Sequence, residues 1–270
     1  MARIARSHLI YRHSVTVRLT HWINVLCLTL LLMSGLQIFN AHPALYLGEQ
    51  SDFAHPVLSI TAEQNGGDVV GITTIFNRRF TTTGLLGASK FSGEDAVRAF
   101  PSWATLPSGQ DLATARRWHF LFAWVFVLNG FVYLVSSFAS GHLQRDLVPS
   151  ASGLRGIGHL LLDHMRLRFP KGEEARHYNV LQQLTYLLVV FLLLPIVVLA
   201  GLTMSPGLDA AFQPLLDVFG GRQTARTIHF LAAASILLFV IVHVAVVILS
   251  GIFNNLRAMV TGRYDLEGGR

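Results

Sequence analysis

The chain alternates long apolar runs with stretches where charge collects. Four runs are long enough to cross a bilayer, whose hydrocarbon takes roughly 20 helical residues. They cover about Leu19–Phe39, Trp118–Phe138, Leu184–Leu202 and Ile228–Phe253, and none contains Asp or Glu. Pro195 interrupts the third and predicts a kink there, because proline lacks the N–H that an inner helical turn needs. The pattern predicts an all-α fold: an integral membrane four-helix bundle with a long extracytoplasmic loop between helices 1 and 2. A basic N-terminus precedes the first run with no small-residue cleavage site after it, so that run is read as an uncleaved membrane helix. No internal repeat is evident.

Charge then sets the orientation. Arg3, Arg6, Arg12 and Arg18 precede the first run; Arg145, Arg155, Arg166, Arg168, Lys171 and Arg176 lie between the second and third; Arg257 and Arg263 follow the fourth. Four spans put these three regions on one side, and the positive-inside rule makes that side the cytoplasm, with both termini cytoplasmic in a bacterial inner membrane. The other side receives a short connection, Thr203–Arg226, and an insertion of about Asn40–Arg117 rich in Gly, Thr and Ser. Loops of that length are either functional or disordered. The insertion reads as a docking surface for an extracytoplasmic partner or as an unstructured segment. On the cytoplasmic side, GLRGIGHLLLDHMRLRF has apolar residues at helical spacing with basic neighbours, the pattern of a helix lying along the membrane surface.

Composition supports the membrane reading. Hydrophobic residues make up 52%, charged residues 13%, and mean hydropathy is +0.49, whereas a soluble domain carries about 25% charged residues. The net charge of +6 sits outside the apolar runs, so it speaks for topology and lipid contact. The interleaved basic and aromatic stretches of a nucleic-acid binder are absent. Cys27 is the single cysteine, which excludes a disulfide within the chain, a CxxCH haem attachment and a cysteine-ligated cluster built by this chain alone.

Of 12 histidines, only His21, His119, His229 and His243 lie in or at the mouth of a run. Ionisable side chains inside a membrane are costly and mark function. His229 and His243 are 14 residues apart, which at about 1.5 Å and about 100° per residue gives a rise of roughly 21 Å on nearly the same helix face. By topology His21 starts the first span at the inner surface and His119 starts the second at the outer surface. The fourth span enters from outside, so depth matches His21 with His243 and His119 with His229. Two imidazoles facing each other across helices suit axial ligation of one haem iron, which predicts two non-covalent b-type haems, each held by a histidine pair. Two imidazole ligands leave no open position on the metal, so such a site passes electrons and has no other catalytic site of its own. Gly35, Gly130 and Gly251 are candidates for close approach of a porphyrin. Arg18 on the inner side, and Arg116, Arg117, Arg222 or Arg226 on the outer, are candidates to pair with propionates or with lipid headgroups.

VRLTHWIN around His21, RRWHF around His119, RHYNVLQQ over Arg176–Gln183 and RTIHF…IVHV in the fourth run resemble the di-haem cytochrome b subunits of membrane-bound nickel–iron hydrogenases, formate dehydrogenases and thiosulfate-reductase-type oxidoreductases. The resemblance covers the four spans but not the long insertion. It implies one di-haem membrane domain over residues 1–270, with His21, His119, His229 and His243 as axial ligands. It also implies a quinone/quinol site at a Tyr-Asn-x-x-Gln stretch opening the third helix, here Tyr178, Asn179 and Gln182. Asn179 offers a donor and an acceptor to a quinone oxygen, and the adjacent His177 is placed to relay a proton.

The function expected is a membrane electron-transfer subunit linking the quinone pool to an extracytoplasmic oxidoreductase. The insertion departs from hydrogenase-type subunits, so a periplasmic molybdenum enzyme of the sulfite-oxidase type competes with a hydrogenase as partner. Two other classes are weighed. An intramembrane histidine-metal enzyme needs clustered ligands such as HxxxH or HExxH, and neither occurs. A proton-coupled transporter calls for acidic residues inside the spans, and the four have none.

Overall fold

The structure, a computed structural model, describes residues 9–150, 154–158, 162, 166, 179–205, 207 and 213–266. Four helices are long and apolar enough to span: α1 (Val15–Asn40), α2 (Leu112–Ala139), α3 (Val180–Leu202) and α5 (Arg222–Leu249). A short α4 (Gln213–Phe219) precedes α5, and α6 (Ile252–Thr261) follows it. On the spans, apolar side chains such as Leu128, Phe131 and Leu238 are exposed, the arrangement of helices whose outer face meets acyl chains rather than water.

Two helices show how sequence sets local geometry. Ahead of Pro195, α3 widens into a π turn over Val189–Leu193, and the Leu194 N–H reaches back to the Val189 carbonyl. Proline clashes with the carbonyl four residues earlier and brings no donor, so the sequence signal for a kink is expressed as an extra residue in the turn. The fourth span stops at Leu249, earlier than the hydrophobic run suggests. Gly251 adopts φ 110, a left-handed conformation open to glycine, and the chain restarts as α6. That glycine breaks a helix, with nothing within 4 Å of a would-be Cβ.

The structure is mostly helical as expected, but among the described residues it also has eight strands, six of which lie in the insertion. Strands β2 (Ala44–Leu45), β3 (Leu58–Asn65), β4 (Asp68–Ile75) and β5 (Arg78–Thr81) form an antiparallel sheet in that order, and β6 (Gly87–Phe91) pairs with β7 (Glu94–Arg98). Residues Gly66–Gly67, Phe76–Asn77 and Ser92–Gly93 turn the hairpins with positive φ, as two-residue hairpin loops require. The β6–β7 hairpin packs so closely on the sheet that a Cβ at Gly71 would lie 2.1 Å from the Leu86 carbonyl oxygen, and one at Gly87 2.3 Å from that of Thr61.

The fold divides into two compact units. One comprises Met1–Ile23, Asn129–Leu194 and Ser235–Arg270. In it β1 (Leu9–Tyr11) pairs antiparallel with β8 (Arg263–Asp265), tying the two tails together. The other comprises Asn24–Leu128 and Pro195–Ala234 and holds the insertion. Its core gathers Phe39, Leu45, Ile60 and Ala99 with Leu58, Leu86, Phe100 and Phe230. Buried beside it, Arg98 is only 4% exposed. Its guanidinium donates to the Phe100 and Ser108 carbonyls, to Gln37 Oε1 and to Thr105 Oγ1 at 2.7–3.0 Å, so a buried cation is satisfied by neutral acceptors and fastens the insertion to α1.

Candidate functional site

The unit holding the insertion brings His119 of α2 and His229 of α5 together, with ring centroids 6.2 Å apart. Each ring is held by its Nδ1. That of His229 lies 2.8 Å from the Val197 carbonyl, an acceptor only, so Nδ1 carries the proton and Nε2 is left with its lone pair. That of His119 lies 3.1 Å from Ser34 Oγ, whose own hydrogen goes to the Leu30 carbonyl at 2.6 Å. The serine therefore accepts from His119, and again Nε2 is the basic nitrogen. Histidines anchored through one nitrogen so that the other points at a ligand are the usual arrangement around a metal.

Both rings lie against glycine. A Cβ on Gly201 would meet His229 Cε1 at 3.2 Å, and one on Gly35 would meet His119 Cε1 at 3.3 Å. The space beside Gly35 is thus occupied by an imidazole. Gly130 has nothing within 4 Å of a would-be Cβ.

The insertion fastens the entry of α5 close to His229. The Gly48 carbonyl accepts from the backbone N–H groups of Gln223 and Thr224, the Gly48 N–H donates to Thr224 Oγ1, and Thr227 donates to the Tyr46 carbonyl. These bonds satisfy donors that a helix start leaves open. Arg226, one turn before His229, donates to the His42 carbonyl and lies over the Phe39 ring.

The other unit brings His21 of α1 and His243 of α5 together, with ring centroids 6.4 Å apart. His243 stacks on Phe239, and His21 meets Trp22 edge-on. Asn129 donates to the Thr20 carbonyl at 2.9 Å, joining α2 to the turn of α1 that carries His21. Trp22 Nε1 donates to the Met259 carbonyl and Arg18 Nη1 to that of Val260, so the first turns of α1 cap the open carbonyls ending α6. His21 Nδ1 and Arg18 Nε are buried with no hydrogen-bond partner.

Asn179 and Gln182 form a capping box at the start of α3: Asn179 Oδ1 accepts from the Gln182 N–H at 2.8 Å, and Gln182 Oε1 from the Asn179 N–H at 3.2 Å. Each side-chain oxygen thereby accepts one backbone bond at the helix start. Tyr178, His177 and most of Gly153–Phe169 lie outside the described residues. Among the described residues no three potential metal-ligating side chains come together; the membrane histidines meet in pairs.

The model of the prokaryotic cytochrome b561 family matches residues 12–262. The chain belongs to that family. It is therefore a prokaryotic membrane cytochrome b, an oxidoreductase subunit that binds b-type haem. A protein of Azospira oryzae, named as a candidate protein-methionine-sulfoxide reductase subunit, YedZ1, is 28% identical over 250 residues, covering 93% of this chain and 96% of the relative. No solved structure matches.

The paired histidines can be tested against the group this family binds. An imidazole–metal bond is about 2.0 Å and a ring nitrogen lies about 1.1 Å from the ring centre, so two imidazoles on opposite sides of one metal have centres roughly 6.2 Å apart. The pairs stand at 6.2 and 6.4 Å. With Nε2 available on His119 and His229, and an orphaned buried nitrogen on His21, the residues fit a haem at each place.

Proposed function

We propose that this cytochrome b561-family chain passes electrons between a membrane quinone pool and an extracytoplasmic oxidoreductase through two b haems, each held by a histidine pair: His119 with His229, and His21 with His243. The observation that carries this reading is the separation of the two ring pairs, each at the distance one metal between two imidazoles demands. Bound haem iron would supply one-electron transfer, with no position open to oxygen or substrate. Ser34 and Val197 hold the outer rings in one tautomer, and Thr20–Asn129 steadies the turn of His21. Because α1, α2 and α5 run continuously through both units, the whole chain reads as one di-haem membrane domain.

The β1–β8 pairing supports a common side for both termini, which basic flanks assign to the cytoplasm. The insertion then faces outward. Its sheet, stapled to the start of α5, is a rigid platform beside the outer histidine pair, suited to docking a soluble catalytic partner. The name of the Azospira relative favours a reductase over a hydrogenase as that partner, with electrons leaving quinol and moving outward; a molybdenum enzyme is one reductase of that kind. On the inner side, Arg18 would reach a propionate through Nε, which is buried without a partner. Quinol would bind at the start of α3, with Tyr178, Asn179 and Gln182 as its contacts.

Purified protein tests the proposal. A reduced quinol added without oxygen should produce a reduced low-spin b spectrum, and a pyridine haemochrome assay should count two haems per chain. A count of one, or a high-spin iron that binds carbon monoxide, rules out the bis-histidine pairs.

A further inference from the structure

Around the start of α5, which carries His229, two side-chain atoms are buried without a hydrogen bond, Gln223 Oε1 and His42 Nε2. His42 follows the end of α1, and its backbone carbonyl accepts from Arg226, yet its side-chain Nε2 is buried without a hydrogen bond. The ring is fixed among aromatics, 5.7 Å from Tyr46 and 6.0 Å from Phe53. Leaving a buried imidazole nitrogen unpaired is unfavourable. Arg226 is equally suggestive. It precedes His229 by three residues, nearly one turn outward on α5, which puts it on the same side of the helix. Among the described residues no carboxylate pairs with it. His42 Nε2, a donor in one neutral tautomer, and a guanidinium three residues before His229, linked through the His42 backbone carbonyl, can together offer hydrogen bonds to a single carboxylate.

We propose that His42 Nε2 and the Arg226 guanidinium bind a propionate carboxylate of the haem held by His119 and His229. The inference rests on that outer haem being present. Both donors lie in a partly apolar setting, with Phe39 under the guanidinium, where a charge-assisted hydrogen bond is stronger than in water. His42 is thus a cofactor-binding residue, and the bond from Arg226 to its carbonyl positions it.

A lipid phosphate or a free anion would suit the same donors, so the test must remove the propionate itself. Haem-free protein is reconstituted with haem or with its dimethyl ester, in wild type and in His42→Ala, and loss of the outer haem to apomyoglobin is followed by absorbance. The outer haem is the one missing from His229→Ala. With native haem, His42→Ala should speed that loss roughly tenfold to a hundredfold, the effect of one charge-assisted hydrogen bond, and shift the midpoint potential. With the ester, wild type and variant should release haem at the same rate. Arg226→Lys should give a partial effect that likewise vanishes with the ester. Equal acceleration by His42→Ala for both cofactors would mean that something other than a propionate occupies the pair, and would overturn the assignment. Wild-type protein lacking the His229-dependent haem would instead overturn the underlying two-haem reading.

Discussion

The Nδ1 of His229 donates to the Val197 carbonyl across 2.8 Å, from α5 to α3. This bond fixes which nitrogen of the ring is basic, and it depends on a glycine. Gly201 sits one turn beyond Val197, and any side chain there would press on the imidazole at 3.2 Å. Gly201→Val should displace the ring and lower affinity for the outer haem by about tenfold to a hundredfold, the range for disturbed supporting contacts of a ligand. Haem titration read by absorbance checks this, and the inner haem should be spared.

Ser34 is the acceptor that orients His119. Ser34→Ala leaves the ring against Gly35 but removes one of its two acceptors, with the Leu31 backbone the other, so the tautomer is held less firmly. The outer haem's midpoint potential should shift and its retention fall, while Ser34→Thr should restore both. Potentiometric titration distinguishes the two haems.

Asn179 has two separable duties. As the helix cap it contributes about 1 kcal/mol; as the proposed quinone contact it donates through its amide. Asn179→Asp keeps a good capping oxygen and removes the donor. Quinol-driven haem reduction should therefore slow in Asn179→Asp as much as in Asn179→Ala, with thermal stability lower only in the latter. Wild-type rates in Asn179→Asp would confine Asn179 to capping.

Arg98 makes four buried hydrogen bonds, three within the insertion and one to Gln37 of α1. Arg98→Met takes a donor from all four acceptors, leaving Asn40 as the remaining donor to Gln37 Oε1 and the Phe100 carbonyl, and should cost about 3 kcal/mol. Faster proteolysis within residues 40–111, with the inner haem spectrum unchanged, is the expected readout.

Acid should weaken the inner unit through His13, just before α1. Burial, followed by the neighbouring Arg12 and then His21, His142 and Arg18, lowers its pKa from 6.5 to about 4. Between these values the unfolded chain binds a proton that the folded chain refuses, so stability falls as pH drops from about 6.5 to about 4 and is unaffected above. Thermal melting of wild type should decline over that interval more steeply than that of His13→Gln.

Much of the fold was legible because membranes impose simple demands. Spans follow from apolar length, and His21 comes to lie opposite His243 because depth follows from topology and helical rise. The tautomer anchors were not legible: Ser34 and Val197 are ordinary residues whose role depends on which helices touch. Gly201 carried no local sign that an imidazole would need its space. The strands of the insertion did leave a signal, since LSITAEQN and DVVGITTI flank Gly66–Gly67, a two-residue turn between β-branched runs. Richness in Gly, Thr and Ser was read as loop, although the same residues build tight hairpins. The capping box also shows how one motif serves two readings, because Asn followed by Gln three residues later suits both a helix start and a polar ligand.

The most direct test of the paired-histidine account is haem content and low-temperature absorbance in the four single variants His21→Ala, His243→Ala, His119→Ala and His229→Ala. The account predicts two matching outcomes: the first two variants lose one haem and keep the same other, and the last two do the converse. If His119→Ala and His229→Ala lost different haems, or if one variant removed both while its partner removed none, the pairing would be contradicted.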